Sequence, residues 1–146
     1  MSLSHFTFSG TTYEQGLLHG ETLKNSIKKN IEIYVNRFEN EAGIGKNELL
    51  ENSGIYLNIL REQSPEYVNG MNGISESSNL ELLEIAMLNL RYELLYHALG
   101  RKLHSDAVDG CTSFAILQEE VENNHLLMGQ NWDWIPDVEC VLTTSI

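Results

Sequence analysis

Positive charge is scarce in this sequence, and so are cysteine and long apolar runs. Its 146 residues include 9 Lys and Arg against 21 Asp and Glu, which gives a net charge of −12 at pH 7. Because such a surface repels phosphate groups, we expect neither nucleic acid nor anionic lipid as a partner. Residues 1–10 lack a basic segment followed by an apolar run, and no apolar stretch is long enough to span a membrane. We therefore expect a cytoplasmic protein without membrane contact.

The two cysteines, Cys111 and Cys140, are too few for a disulfide framework. They could form one bridge, but the surroundings of Cys111 favour a role in chemistry, and Cys140 is expected to be a buried thiol. A reducing compartment is the simpler interpretation. The sequence also lacks a glycine-rich phosphate loop and any cluster with metal-ligand spacing, so we expect no metal and no cofactor.

The first helix is predicted to start at Thr11, where Glu14 three residues later completes a capping-box pattern. Gly16 and Gly20 lie four positions apart in it, and we expect them to allow close packing of another helix. His19 between them is expected to be structural. The apolar face of this helix is predicted to consist of Leu23, Ile27, Ile31, Tyr34 and Phe38.

Further helices are expected up to about Gly100. Ser78 and Glu81 form a second capping-box pattern before the last of them. The other expected segments are a loop over residues 39–45, a helix over Lys46–Gln63, a short and weak helix over 66–74, a polar linker over 75–79 and a helix over 80–100.

A β-hairpin is predicted between Asp109 and Trp134, because two apolar runs flank a polar turn over residues 119–124. Its first strand opens with Gly110 and Cys111, and its second ends in the run Asn131-Trp132-Asp133-Trp134, which contains a carboxylate. A thiol and a carboxylate would therefore lie side by side. A turn over 135–137 and a third strand over 138–146 follow. Helices followed by strands indicate an α+β protein.

A cysteine nucleophile needs a base, and no histidine is well placed to serve Cys111. His104 precedes the strand and His125 lies in the hairpin. If the Gly110–Cys111 bond were cut, however, Cys111 would gain a free α-amine. An α-amine has a pKa of about 7.7–8.0, so it can act as a base near neutral pH. Glycine before the cut tolerates a strained backbone and leaves its carbonyl open to the thiol.

Two motifs together resemble a known family, the run from Gly110 to Ser113 and the run Gly129-Gln130-Asn131-Trp132-Asp133. They are similar to those of the self-processing N-terminal-nucleophile hydrolases of the isopenicillin N acyltransferase type. Upstream, the run from Tyr13 to Gly16 with His19-Gly20, and the run from Leu88 to Glu93, resemble helical motifs of the same family. The resemblance thus extends over almost the whole chain.

The resemblance implies roles at the matched positions. Cys111 would be the nucleophile and new N-terminus after cleavage behind Gly110, and Asp133 would hold its amine or thiol. Gln130, Asn131 and Trp132 would form the site wall or bind substrate. The substrate would be a small-molecule acyl donor, such as an acyl-CoA or an acylated amine, and the enzyme an amide hydrolase or acyltransferase.

The implied fold is a four-layer α-β-β-α sandwich with the nucleophile on a central strand. Residues 1–110 would be a helical prosegment, and residues 111–146 the start of the catalytic β part. Three strands do not supply two sheets, so we expect this chain to be the N-terminal part of a longer protein. Its own C-terminal part would then be a partner and would carry further catalytic residues.

Other interpretations stay open. Cys111 alone would usually be a small buried hydrophobe, Asp133 a turn residue, and Trp132 part of the core. The chain could also be a non-enzymatic prosegment or assembly fragment. A third alternative is a lipid amide hydrolase of the acid-amidase or ceramidase type. Those enzymes have arginine where this chain has Gln130, which argues against that alternative.

Overall fold

The computed structural model describes residues 4–99, 111–120, 124–131, 138 and 142–145. The chain divides into two compact units. One comprises residues 1–104 and 139–146, and is built mainly of helices. The other comprises residues 105–138 and contains the hairpin. Helices combined with small β-sheets make this an α+β protein, as predicted.

The helical unit begins with strand β1 (His5–Phe8) and the long helix α1 (Thr12–Arg37). Thr11 caps α1 as predicted: its hydroxyl accepts a hydrogen bond from the Glu14 N–H at 3.3 Å, and its own N–H donates to Glu14 Oε2 at 2.8 Å. The helix is kinked at Leu23, whose φ of −113° and ψ of 16° are not helical. The predicted apolar face is buried at all five positions: Leu23, Ile27, Ile31, Tyr34 and Phe38.

Four further helices and a π-helical turn complete the described helical core around α1. The π-helical turn covers Phe38–Ala42. The helices are α2 (Lys46–Gln63), α3 (Pro65–Ser78) and α4 (Leu82–Asn89), and a last helix, α5 (Arg91–Leu99), follows α4. Apolar side chains from α2, α3 and α4 are buried with the α1 face, among them Leu49, Leu57, Val68, Met71, Ile85 and Met87.

Glycines bring α1 and α3 into close contact. A Cβ atom placed on Gly16 would lie 2.2 Å from the Gly70 carbonyl oxygen, and one on Gly73 would lie 2.3 Å from the Tyr13 carbonyl oxygen. Gly20 faces the backbone of Ile74 in the same way, at 2.5 Å. Because any side chain there would overlap backbone atoms, the two helices can approach this closely only with glycine. The prediction of close packing at Gly16 and Gly20 is confirmed.

Three local predictions in the helical part are wrong. Residues 39–42, expected to be a loop, continue as a π-helical turn. The buried Phe38 and the Arg37–Glu41 ion pair at 2.9 Å stabilise this turn, which ends at Gly43 with a φ of 71°. The expected linker 75–79 is mostly helical, because α3 continues to Ser78, where the Ser77 and Ser78 hydroxyls donate to carbonyls one turn back, and Asn79 is its C-cap. The second capping box joins Glu81 and Glu84 instead of Ser78 and Glu81.

The helix predicted over residues 80–100 is broken in two at Leu90, where φ is −95° and ψ is 12°. Side chains on both sides of the break bond to main-chain carbonyls of α4. Asn89 Nδ2 donates to the Ile85 oxygen at 2.9 Å, and Arg91 Nη1 donates to the Leu88 oxygen at 2.8 Å. These bonds satisfy carbonyl groups near the end of α4 and so stabilise its termination.

Strand β1 pairs in parallel with strand β4 (Leu142–Ser145), and His5 lies opposite Leu142. Phe6 and Phe8 are on one face of β1, as predicted, with ring centroids 6.4 Å apart. Phe8 is buried and also stacks on His19 of α1, with ring centroids 5.5 Å apart. Val138, predicted to open the third strand, is a bend, and the strand is described over Leu142–Ser145, paired with the N-terminal segment.

The hairpin unit contains strands β2 (Thr112–Ile116) and β3 (Leu127–Asn131), and a 3₁₀ turn at Gln118–Glu120 follows β2. The strands are antiparallel, and Thr112 lies opposite Asn131 while Ile116 lies opposite Leu127. This is the predicted hairpin. Apolar side chains are exposed on both of its faces, including Phe114, Leu127 and Met128.

Candidate functional site

The candidate nucleophile lies at the open end of the hairpin. Cys111 immediately precedes β2 and is exposed. The first residue of β2, Thr112, is paired with the last residue of β3, Asn131. The antiparallel register thus places the start of β2, directly after Cys111, next to the end of β3. Asp133 follows β3 two residues later in the sequence. This is the end of the hairpin at which the sequence predicted a thiol and a carboxylate.

The register also assigns the site residues to the two faces of the hairpin, because side chains alternate along a strand. Ser113 lies opposite Gln130 on one face, and Thr112 lies opposite Asn131 on the other. Gln130 and Asn131, both predicted for the site wall, are therefore directed to opposite sides of the sheet. Both residues are exposed.

One face is partly filled by an aromatic ring. The Phe114 ring lies over Gly129, since a Cβ atom on Gly129 would be 2.5 Å from two of its ring carbons. Glycine in the motif Gly129-Gln130-Asn131 is thus required here by packing. An aromatic ring covering a strand glycine on the neighbouring strand is a known way to stabilise a hairpin.

A shallow cavity of about 410 Å³ lies on the two strands. Its volume falls in the range typical of small-molecule sites. The residues that line it are Ser113, Phe114, Ala115, Met128, Gly129 and Gln130.

Several predicted site residues lie outside the described residues. They include Gly110, after which the chain would be cut, and Asp133, which would hold the new amine. Trp132, predicted for the wall of the site, also lies outside them. His104 and Cys140 also lie outside them. Their roles stay predictions.

The motif from Leu88 to Glu93 forms the junction between α4 and α5. Asn89 Oδ1 accepts a hydrogen bond from the Tyr67 hydroxyl at 2.8 Å, and Arg91 Nε donates to the Tyr34 hydroxyl at 3.1 Å. The Arg91 guanidinium also lies over the Tyr92 ring, 4.9 Å from its centroid. Sequence reasoning treated this motif only as a resemblance. Its polar residues connect the junction to α1 and α3.

Three side chains near the start of α1 have shifted pKa values. Hydrogen bonds from the Thr11 backbone and hydroxyl lower the pKa of Glu14. The hydrogen bond to Glu76, at 2.6 Å, raises the pKa of Tyr13 and ties α1 to α3. Burial lowers the pKa of His19, because desolvation disfavours its charged form. Burial thus favours the neutral form of His19, whose ring stacks on Phe8.

Within the described part of the chain, no group of three or more His, Cys, Asp and Glu side chains is arranged to hold a metal ion. None of the helices described is both long and apolar enough to cross a membrane.

No protein-family model matches this chain. It is, however, similar to curated proteins, among them an acyltransferase. Over 130 residues it is 30% identical to the acyl-coenzyme A:6-aminopenicillanic-acid-acyltransferase 40 kDa form of Emericella nidulans. The match covers 89% of this chain and 34% of that protein, so the chain spans about a third of the length of the relative.

Proposed function

We propose that this chain belongs to a self-processing N-terminal-nucleophile enzyme that uses Cys111 to transfer or hydrolyse acyl groups. The main support is the position of Cys111, exposed directly before β2 and beside the end of β3. The similarity to a named acyltransferase includes this part of the sequence and supports the same function. The proposed fold of the whole protein is the four-layer sandwich, to which the hairpin would contribute two central strands.

Self-cleavage would begin with attack of the Cys111 thiol on the carbonyl carbon of Gly110. The peptide nitrogen leaves as an amine after taking a proton, and Gly110 is then held in a thioester. Water hydrolyses this thioester, which frees the Gly110 carboxylate and restores the thiol. Residues 1–110 become one chain, and Cys111 becomes the first residue of the other.

Acyl transfer would use the same sulfur and the new amine. The neutral α-amine of Cys111 accepts the thiol proton, and the thiolate attacks the carbonyl of an acyl-CoA or an acylated amine. The leaving group departs with a proton, and the acyl-enzyme passes its acyl group to an amine or to water. Asp133 would orient the amine, and Gln130 and Trp132 would line the site. Asn131, whose side chain is directed to the opposite face of the hairpin, would border the site at the end of β3. N–H groups would stabilise the oxyanion.

A substitution of Cys111 tests this function. In the full-length protein, Cys111→Ala should abolish self-cleavage and acyl transfer, because one thiol serves both steps. Cys140→Ala is the matched control and should still be cut. Intact-mass measurement separates the outcomes: a Cys111→Ala protein still cleaved after Gly110 would mean that another nucleophile makes the cut. An unmodified protein that stays whole and transfers no acyl group would favour a non-enzymatic module.

A further inference from the structure

A second cavity, of about 380 Å³, lies within the helical unit. Its volume falls in the range of small-molecule sites, which often lie between packed helices. One wall belongs to α1 and includes Lys28, Ile31, Glu32 and Val35. The start of α2, the turn between α3 and α4, and the first turn of α4 form the opposite wall. We call this space the helical cavity.

The least exposed side chains of the helical cavity are aliphatic. Ile31 is buried, and Val35 and Leu80 are half-buried. Two hydrogen bonds hold Leu80 to Ser75: the Leu80 N–H donates to the Ser75 oxygen at 3.3 Å, and the Ser75 hydroxyl donates to the Leu80 oxygen at 2.7 Å. The three branched side chains therefore offer a fixed apolar surface that a small aliphatic group can contact.

The charges on the wall opposite α1 neutralise each other. Lys46 Nζ donates to Glu84 Oε1 at 2.6 Å, and this hydrogen bond raises the pKa of Lys46. Glu84 Oε2 accepts a hydrogen bond from the Glu81 N–H at 3.2 Å. Both oxygens of the Glu84 carboxylate are thus engaged within the protein, and this wall adds no net charge to the cavity.

The α1 wall carries one exposed charge of each sign. Lys28 and Glu32 lie four residues apart, a spacing at which Cβ atoms are about 5–6 Å apart on one side of a helix. Arg37 and Glu41 have the same spacing and form an ion pair at 2.9 Å. Among the described residues, Lys28 and Glu32 form no such pair. Both can therefore bind charged groups of one small ligand.

We infer that the helical cavity binds a free amino acid with an aliphatic side chain. The ligand carboxylate pairs with Lys28 and its ammonium with Glu32, while its side chain lies on Ile31, Val35 and Leu80. A zwitterion has no net charge, so a protein with a net charge of −12 does not repel it as it would an anion. The site is independent of the proposed function, because its residues all belong to the helical unit and binding needs no thiol.

Titration of the full-length protein with L-leucine, followed by calorimetry, tests this site. Three related compounds each lack one of the recognised parts. N-acetyl-L-leucine has no ammonium, L-leucinamide has no carboxylate, and glycine has no apolar side chain. We expect each of them to bind more weakly than L-leucine, because each leaves one part of the cavity without its partner.

Substitutions on α1 assign the charges. Lys28→Gln and Glu32→Gln should each raise the Kd for L-leucine about two- to fivefold, the contribution of one exposed ion pair. Lys28→Gln should also bring the Kd values of L-leucine and L-leucinamide close together, which a general change in net charge would not do. Glu21→Gln and Lys24→Gln are the matched controls, because they remove the same charges from positions of α1 outside the cavity. Thermal unfolding checks that all four variants are folded.

No saturable binding of L-leucine up to about 10 mM would overturn the site. Equally tight binding of N-acetyl-L-leucine would show an anion site, and equally tight binding of L-leucinamide a cation site. Either result would overturn the assignment of a zwitterion. An unchanged Kd in both Lys28→Gln and Glu32→Gln, or an equal loss of affinity in Lys24→Gln, would place the binding of L-leucine elsewhere and would also overturn it.

Discussion

At the scale of single residues, Asp133 is the position whose proposed role depends most on charge. Asp133→Asn keeps the size of the side chain but removes the carboxylate that would hold the Cys111 amine. We expect acyl transfer by the mature enzyme to fall by about 10²- to 10⁴-fold, the usual contribution of a positioned acid–base group.

The measurement for Asp133→Asn is turnover of an acyl thioester by purified protein whose circular dichroism matches the unmodified enzyme. Asp137→Asn is the matched control, because it removes a carboxylate a few residues further along. Near-full turnover in Asp133→Asn would leave Asp133 as a turn residue, the interpretation that the sequence alone kept open.

His19 should make the fold sensitive to mild acid. Burial lowers its pKa below the ordinary value of 6.5, so the unfolded chain binds the proton first as the pH falls. Stability should therefore be complete above about pH 6.5 and decrease as the pH falls through the lower, folded-state pKa. The pKa of the Glu14 carboxyl is also lowered, but this group affects stability only below pH 4.5, its ordinary pKa.

The midpoint of thermal unfolding, measured from pH 7.5 to pH 5, checks this effect of His19. His19→Gln should reduce the loss of stability below about pH 6.5, while the exposed His5→Gln serves as the control and should retain that loss. An identical pH dependence in the unmodified protein and His19→Gln would assign the loss to other groups.

At the scale of elements, the contact between α1 and α3 gives a sharp test of packing. Gly16→Ala places a Cβ atom 2.2 Å from the Gly70 carbonyl oxygen, where only backbone can move away. Overpacking of this kind typically costs about 1–3 kcal/mol. Helix propensity favours alanine over glycine by about 1 kcal/mol, which offsets part of the cost.

Gly70→Ala is the matched control for Gly16→Ala, because it lies in the same contact but its added Cβ would be 3.5 Å from the nearest atom, the Thr12 carbonyl oxygen. This is an ordinary contact, so the propensity gain should remain and stability should rise. Urea unfolding of both variants measures these changes in the free energy of unfolding. A stabilised Gly16→Ala protein would mean that the two helices separate easily.

The same helices indicate what sequence could predict. The face of α1, its cap and its glycine contacts were correctly predicted, because each depends on residues three or four positions apart. The break at Leu90 was missed because side chains of Asn89 and Arg91 bond to carbonyls in a way that apolar spacing does not record. The pairing of β1 with β4 was missed because it joins distant segments.

For the candidate site, sequence predicted the hairpin and the place of Cys111 at its open end. It did not predict the faces of Gln130 and Asn131, because these depend on a register that a single residue of shift would reverse. The cavity on the strands follows from the same register and from Phe114 lying over Gly129.

At the scale of the whole molecule, β1 and β4 lie on opposite sides of the proposed cut in the sequence but hydrogen-bond to each other. Both fragments should therefore stay together after cleavage behind Gly110. Native mass spectrometry should show one species with both pieces, which denaturant separates. Thr7→Pro, which removes an N–H from β1, should weaken the association, whereas Thr7→Val should preserve it. Fragments that part readily in the unmodified protein would contradict this prediction.

The ladder between β1 and β4 also sets an order of events on the ribosome. His5 leaves the exit tunnel early, whereas its partner Leu142 is added only after the helices and the hairpin have been made. At about 5–20 residues per second, β1 waits on the order of ten seconds for a partner. During that time Phe8 can already stack on His19 of α1, but β1 has no β4 to pair with. We expect a nascent chain stalled before Leu142 to have folded helices and an N-terminal segment that proteases can still cut.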